Sequence, residues 1–204
     1  MKYLLPFILI ISSFSQKENP RYLFYLHGQI VENQGADAHS EQFGNYEYNN
    51  IVNVFKKEDF NVISEVRPEK TVPMDYAEKV ANQVKELIKS GVNPENITVV
   101  GASKGSLISM LVSTKLQNPD VNFVLLAACN DWNREHNDIK LCGRILSIYE
   151  ETDTIGKSCV KIFSDADCEL ITKEIKLNTG LKHGMIFRPL PEWVQPTVDW
   201  ARLK

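Results

Sequence analysis

The sequence predicts an α/β protein, a three-layer sandwich in which about six mostly parallel strands carry helices on both faces. Three observations predict it. Short apolar runs rich in β-branched residues alternate with longer segments of helical spacing. The strand candidates are nearly all apolar, as strands buried on both faces of a parallel sheet are. The 204 residues, 43% hydrophobic and 24% charged, suit one globular domain with a well-buried core.

The amino-terminal run "MKYLLPFILIISSFSQ" stands apart. One lysine, an apolar stretch from Tyr3 to Ile11 and small residues at Ser13 and Ser15 read as a secretory signal peptide spanning 1–15, cut before Gln16. The expected domain is then 16–204. The apolar stretch falls short of the roughly 20 residues a membrane span needs, so no stable membrane insertion is expected.

"RYLFYLHG" is the first strand, and the polar, glycine-containing residues 29–45 are expected to form a long loop. Tyr48, Ile51, Val52 and Phe55 recur at helical spacing and predict an amphipathic helix over 46–58. "FNVISEV" is the second strand, stopped by Pro68. Residues 74–90 are the clearest helix, with Ala77, Val80, Ala81, Val84, Leu87 and Ile88 on one face. Asp75 and Glu78 have the spacing of a capping pair, and Gly91 suits its end. "NITVV" is the third strand, followed by an apolar helix over 103–116. "VNFVLLAA", "RILSIY" and "KEIKLN" are the fourth to sixth. A last helix near 191–203 contains Pro196, which predicts a kink or a late start.

A net charge of −3 gives no reason to expect nucleic acid as a partner. Export implies an oxidising compartment, secreted or periplasmic, where Cys129, Cys142, Cys159 and Cys168 can pair. Three connectivities exist, and near-neighbour pairing, Cys129–Cys142 with Cys159–Cys168, is the favoured one. Their spacing matches no zinc site, and no metal is expected.

Ligands of parallel sheets bind past the carboxyl ends of the strands. Past the third strand stands Gly101-Ala102-Ser103-Lys104-Gly105. The small residues fit either a packed strand-to-helix turn or a serine held out as a nucleophile beside a helix N-terminus. A serine needs a base, usually a histidine oriented by a carboxylate. His183, in the loop after the sixth strand, is the best placed; His39 and His136 lie in polar loops, and His27 ends the first strand. The loop after the fifth strand, "SIYEETDTIG", offers Glu150, Glu151 and Asp153 as the acid.

With these residues on view the chain resembles the α/β-hydrolase family over residues 20 to 204. "LFYLHG", "VVGASKGS", "ILSIYEETDTIG" and "LKHGM" carry the resemblance in that order. Its small, lidless members of the carboxylesterase and dienelactone-hydrolase type are the most similar. The resemblance implies a minimal hydrolase fold with Ser103 as nucleophile, His183 as base and Asp153 as acid. Glu151 is held in reserve, because Glu150 and Thr154 depart from the usual glycine and proline. It also implies an oxyanion hole from the backbone N–H groups of Gln29 and Lys104, a structural His27, and no cofactor. About 14 residues separate the fourth and fifth strands, too few for a cap, so an open site is expected. The implied reaction is hydrolysis of a small-molecule or polymer-borne carboxylic ester. The alternatives are a thioesterase or peptidase with the same residues, or a secreted binding protein that has lost the chemistry. The Lys104 side chain is expected either in solvent or, less readily, attracting an acidic substrate.

Overall fold

Six parallel strands form the sheet in the order β4-β1-β5-β6-β7-β8. They are β1 (Arg21–Leu26), β4 (Phe60–Ile63), β5 (Ile97–Ala102), β6 (Asn122–Leu126), β7 (Gly143–Glu150) and β8 (Leu170–Leu177). The computed structural model describes residues 19–130, 135, 138–166, 168 and 170–203. The expected signal peptide and His136 lie outside the described residues.

Side chains alternate across the buried strands and build one apolar layer on each face. Leu23, Tyr25, Val100, Val124 and Leu146 pack with Ile51 and Phe55 of α2 (Tyr48–Lys57) and Trp193 and Trp200 of the last helix. Phe24, Leu26, Val99, Phe123 and Ile145 face the other way. They meet Val80 and Val84 of α3 (Pro73–Lys89) and Ile108 and Leu111 of α4 (Lys104–Leu116). Both faces are covered, which explains why α4 has no polar stripe: nine of its residues, from Gly105 to Ser113, are buried.

Four local expectations change. Residues 29–45 are not a plain loop: they hold the short helix α1 (Gln29–Gln34) and a hairpin of β2 (His39–Ser40) and β3 (Gly44–Asn45). Six mostly polar residues with Val31 as the one fully buried apolar side chain give no readable period. Helix α3 starts at Pro73, whose missing N–H costs nothing at the first position. Glu78 does not cap it but binds Lys115 Nζ at 2.7 Å. The last helix begins at Pro191 with Pro196 inside it, so the late start does not occur.

The cysteines pair as Cys129–Cys159 and Cys142–Cys168, not between sequence neighbours. Sheet register decides this. Cys142 and Cys168 stand just before β7 and β8, whose first residues, Gly143 and Leu170, are partners. At the other end of the sheet, Cys129 bridges Lys157, which sets Cys159 beside it. Two disulfides fit an oxidising environment. Among the described residues, no helix is long and apolar enough to cross a membrane.

Candidate active site

The order of strand addition switches between the parallel strands β1 and β5, with β4 added on one side and β6 to β8 on the other, and the segments leaving these two strands bound the crevice. Ser103 is the one-residue link between β5 and α4. Its φ of 53° and ψ of −117° are strained for a residue with a Cβ. The flanking glycines explain how that turn fits. A Cβ on Gly101 would lie 2.3 Å from the carbonyl oxygen of Gly105, and one on Gly105 would lie 1.8 Å from that of Leu26. Backbone therefore approaches backbone on both sides of the serine, and no larger residue fits.

His183 lies in a 3-10 segment, Lys182–Phe187, after β8. Its Nε2 is 3.0 Å from Ser103 Oγ, and its Nδ1 is 2.7 Å from Asp153 Oδ2. Asp153 is buried, and its other oxygen accepts the Ile155 N–H at 2.8 Å. Burial pushes this carboxyl up, but hydrogen bonds from His183 and from the N–H groups of Ile155 and Gly156 outweigh it and hold it below the ordinary carboxylate value. An ionised carboxylate only accepts, so Nδ1 carries the imidazole proton and Nε2 faces the serine with a free lone pair. The three residues selected from sequence thus form one continuous hydrogen-bonded chain.

Gln29 and Lys104 are the first residues of α1 and α4, where backbone N–H groups have no acceptor within their own helix. Both line a cleft of about 250 Å³ with Ser103; Pro73, Leu107, Ala127 and Ile155 supply apolar walls.

No family model and no curated protein sequence matches the chain. Solved structures do. A predicted CIB-like hydrolase from Thermoplasma acidophilum superposes with a TM-score of 0.55 at 17% identity, over 92% of this chain and 89% of that one. An esterase of the bacterial hormone-sensitive lipase family gives 0.56 at 13%, over 90% and 76%. A SOBER1 variant from Arabidopsis thaliana gives 0.50 at 13%, over 89% and 98%. The chain has the α/β-hydrolase fold.

Within that fold the remaining polar residues sort by what they touch. Glu151, the reserve acid, pairs with Lys176 at the surface and does not face His183. Glu150 is fully buried and accepts from the Thr179 N–H and hydroxyl, the Gly180 N–H and the Thr152 hydroxyl. His27 accepts the Arg67 N–H at Nε2, which leaves Nδ1 to donate to the Gly28 carbonyl. Burial and the Arg67 charge push its pKa down to about 4. It is neutral and structural, and it orders the turn before α1.

Neither expectation for the Lys104 side chain holds. Its Nζ donates to Glu32 Oε1 at 2.7 Å and to the Thr71 carbonyl at 2.8 Å, largely out of solvent. The partner lies 72 residues away in the chain, beyond any local pattern.

Sequence reading also missed what seats the loops that carry Asp153 and His183. A Cβ on Gly156 would meet the Ala127 backbone at 2.4 Å, so the acid loop lies directly on the segment after β6. Trp193 Nε1 donates to the carbonyls of Met185 and Arg188 and holds the segment that carries His183. A buried tryptophan needs a partner for its N–H, which was the available hint. Among the described residues no cluster of three His, Cys, Asp or Glu side chains is arranged to hold a metal ion.

Proposed function

We propose that this protein is a serine hydrolase that cleaves carboxylic esters through an acyl-enzyme. The observation that carries the reading is the unbroken contact from Asp153 through His183 to Ser103. Ser103 Oγ attacks the ester carbonyl carbon as His183 Nε2 takes its proton. Asp153 keeps the imidazole in the working tautomer and stabilises the imidazolium. The N–H groups of Gln29 and Lys104 receive the oxyanion. His183 then protonates the departing alcohol, and water, deprotonated by the same nitrogen, releases the acid.

A cleft of about 250 Å³ is small beside ordinary ligand pockets of roughly 300–1,000 Å³, which suits a compact acyl group with the alcohol side in solvent. A small-molecule ester or one borne on a polymer satisfies that. The binding-protein alternative required an acid detached from the histidine, and the 2.7 Å contact removes its support. We read residues 1–15 as a signal peptide and the protein as secreted or periplasmic, supported by the two disulfides.

Ser103→Ala tests the reading. Wild-type protein should hydrolyse p-nitrophenyl esters and take one fluorophosphonate label at Ser103. The variant should take none and lose about 10⁴-fold or more in kcat. Undiminished turnover in the variant would discard the proposal.

A further inference from the structure

Behind the cleft three charged side chains meet out of solvent. Glu32 of α1 accepts from Arg67 Nε at 3.3 Å on one oxygen and from Lys104 Nζ at 2.7 Å on the other, which also accepts the Thr71 N–H at 3.0 Å. Lys104 Nζ closes the ring on the Thr71 carbonyl. Arg67 reaches on to the His27 carbonyl, and its Nη1 is buried without a hydrogen-bond partner. Buried ions are a poor way to gain stability, because desolvation offsets most of the attraction. A cation on the first residue of a helix is unfavourable as well. The arrangement therefore needs a reason other than stability.

Connectivity supplies one. Lys104 follows Ser103 directly, and Glu32 lies one turn beyond Gln29. The side chain of one oxyanion residue is thereby tied to the short helix that begins with the other. α1 is only six residues long and has no side-chain cap, so little within it fixes the position of its first N–H. We propose that the Lys104–Glu32 ion pair is a positioning brace that sets the distance and angle between the backbone N–H groups of Lys104 and Gln29. Lys104 thus acts twice, its N–H touching the oxyanion and its side chain aligning the second donor. The proposal rests on the serine-hydrolase reading of the site.

An oxyanion hole acts on the transition state more than on the bound ester, so a misaligned one lowers kcat and leaves KM nearly unchanged. Lys104→Met keeps the backbone N–H and most of the side-chain bulk, and leaves Glu32 paired with Arg67. It should lower kcat roughly 10- to 100-fold, less than removing a donor outright, with KM within about twofold. Affinity for an alkylboronic acid, whose adduct with Ser103 is tetrahedral, should fall in proportion to kcat. Fluorophosphonate should still label Ser103 to completion. Lys104→Arg, which can still reach a carboxylate, should recover kcat to within about threefold of wild type.

A lowered melting temperature with unchanged kcat and boronate affinity would overturn the brace and leave a purely structural pair. Lys104→Gln, shorter and uncharged, answers the same question by the same measurements if Lys104→Met does not fold. Wild-type protein that neither takes the label nor turns over ester would instead overturn the hydrolase reading, and the brace with it.

Discussion

Glu150 and Asp153 stand three residues apart at the end of β7. Both are buried, and both carboxyls are held below their ordinary values by hydrogen bonds that outweigh burial. They differ in what they hold. Asp153 meets the imidazole of His183, whereas Glu150 gathers the backbone of Thr179 and Gly180, the chain that leads into His183. One carboxylate contacts the His183 imidazole directly, and the other anchors the loop that carries it. Burial and a perturbed pKa are common to both, so neither property separates the two carboxylates; the contact with His183 does. The strand accounts for the division. Glu150 is the last residue of β7, in register with Leu177, and its side chain is committed to the loop after β8. Asp153 lies past the turn, where its side chain can reach over the sheet edge.

The most severe test of this contrast is Asp153→Asn. The Ile155 N–H would keep the amide oxygen, turning the amide N–H₂ toward His183 Nδ1. The imidazole would then carry its proton on Nε2 and lose its function as a base. We expect kcat to fall about 10³- to 10⁴-fold, with fluorophosphonate labelling slowed and the far-ultraviolet circular dichroism spectrum unchanged. Wild-type-like turnover would mean that Asp153 is a second anchor and not an orienting acid.

The choice of Asp153 over its neighbours shows what was legible before the structure. The alternation of apolar strands and helices placed the central strands, because burial on both faces leaves a strong pattern in "TVV", "FVLL" and "RILSIY", whereas of the largely exposed edge strand β8 only the second half, "KEIKLN", was legible. Gly101 and Gly105 were legible because close backbone approach allows no other residue there. The loops that carry Ser103, the acid and His183 were legible as the segments just past the third, fifth and sixth strands, and the resemblance to the α/β-hydrolase family singled out Asp153 among the three carboxylates. Interactions fixed by register or by distant partners were not legible. Cysteine pairing depends on β7 lying beside β8, which spacing does not encode. Glu32 in α1, Arg67 in the loop after β4 and Lys104 at the start of α4 are far apart in the chain and look singly like surface charges. Glu150 reads as one of three candidate acids and as a departure from the usual glycine, and its anchoring role was not legible because its partners, Thr179 and Gly180, lie a whole strand later.

The two disulfides extend the comparison from side chains to loops. Cys129–Cys159 closes the acid loop at the carboxyl ends of the strands, near Asp153 and Gly156; Cys142–Cys168 lies at the amino ends of β7 and β8. Their sequence separations, 30 and 26 residues, are nearly equal. Loop entropy therefore assigns each about 3.5 kcal/mol of stability. Replacing either pair by alanines should lower unfolding free energy in urea by similar amounts, about 2–4 kcal/mol. Only loss of Cys129–Cys159 should also lower kcat, by roughly tenfold, as Asp153 loses its fixed distance from His183. Equal activities in the two double variants would show that Gly156 and the Lys157–Cys129 hydrogen bond seat the acid loop unaided.

Glu150→Gln is the mildest test and separates anchor from acid most finely. The amide oxygen can replace one carboxylate oxygen, but the N–H₂ must then face a donor, either the Thr179 N–H and hydroxyl or the Gly180 N–H and Thr152 hydroxyl. Loss of charged hydrogen bonds at a buried site should cost about 1.5–3 kcal/mol at pH 7. Turnover should stay within roughly fivefold of wild type at 25 °C, because Asp153 and His183 keep their contact. The pH dependence carries the sign. A carboxyl whose folded pKa lies below its ordinary 4.5 contributes its full stability above that value and loses it as pH falls through the folded pKa. Wild-type stability should therefore drop as pH falls below about 4.5, while Glu150→Gln, already without that contribution, should show a shallower loss over the same range. A variant as inactive as Asp153→Asn, with stability intact at pH 7, would reverse the roles of the two carboxylates.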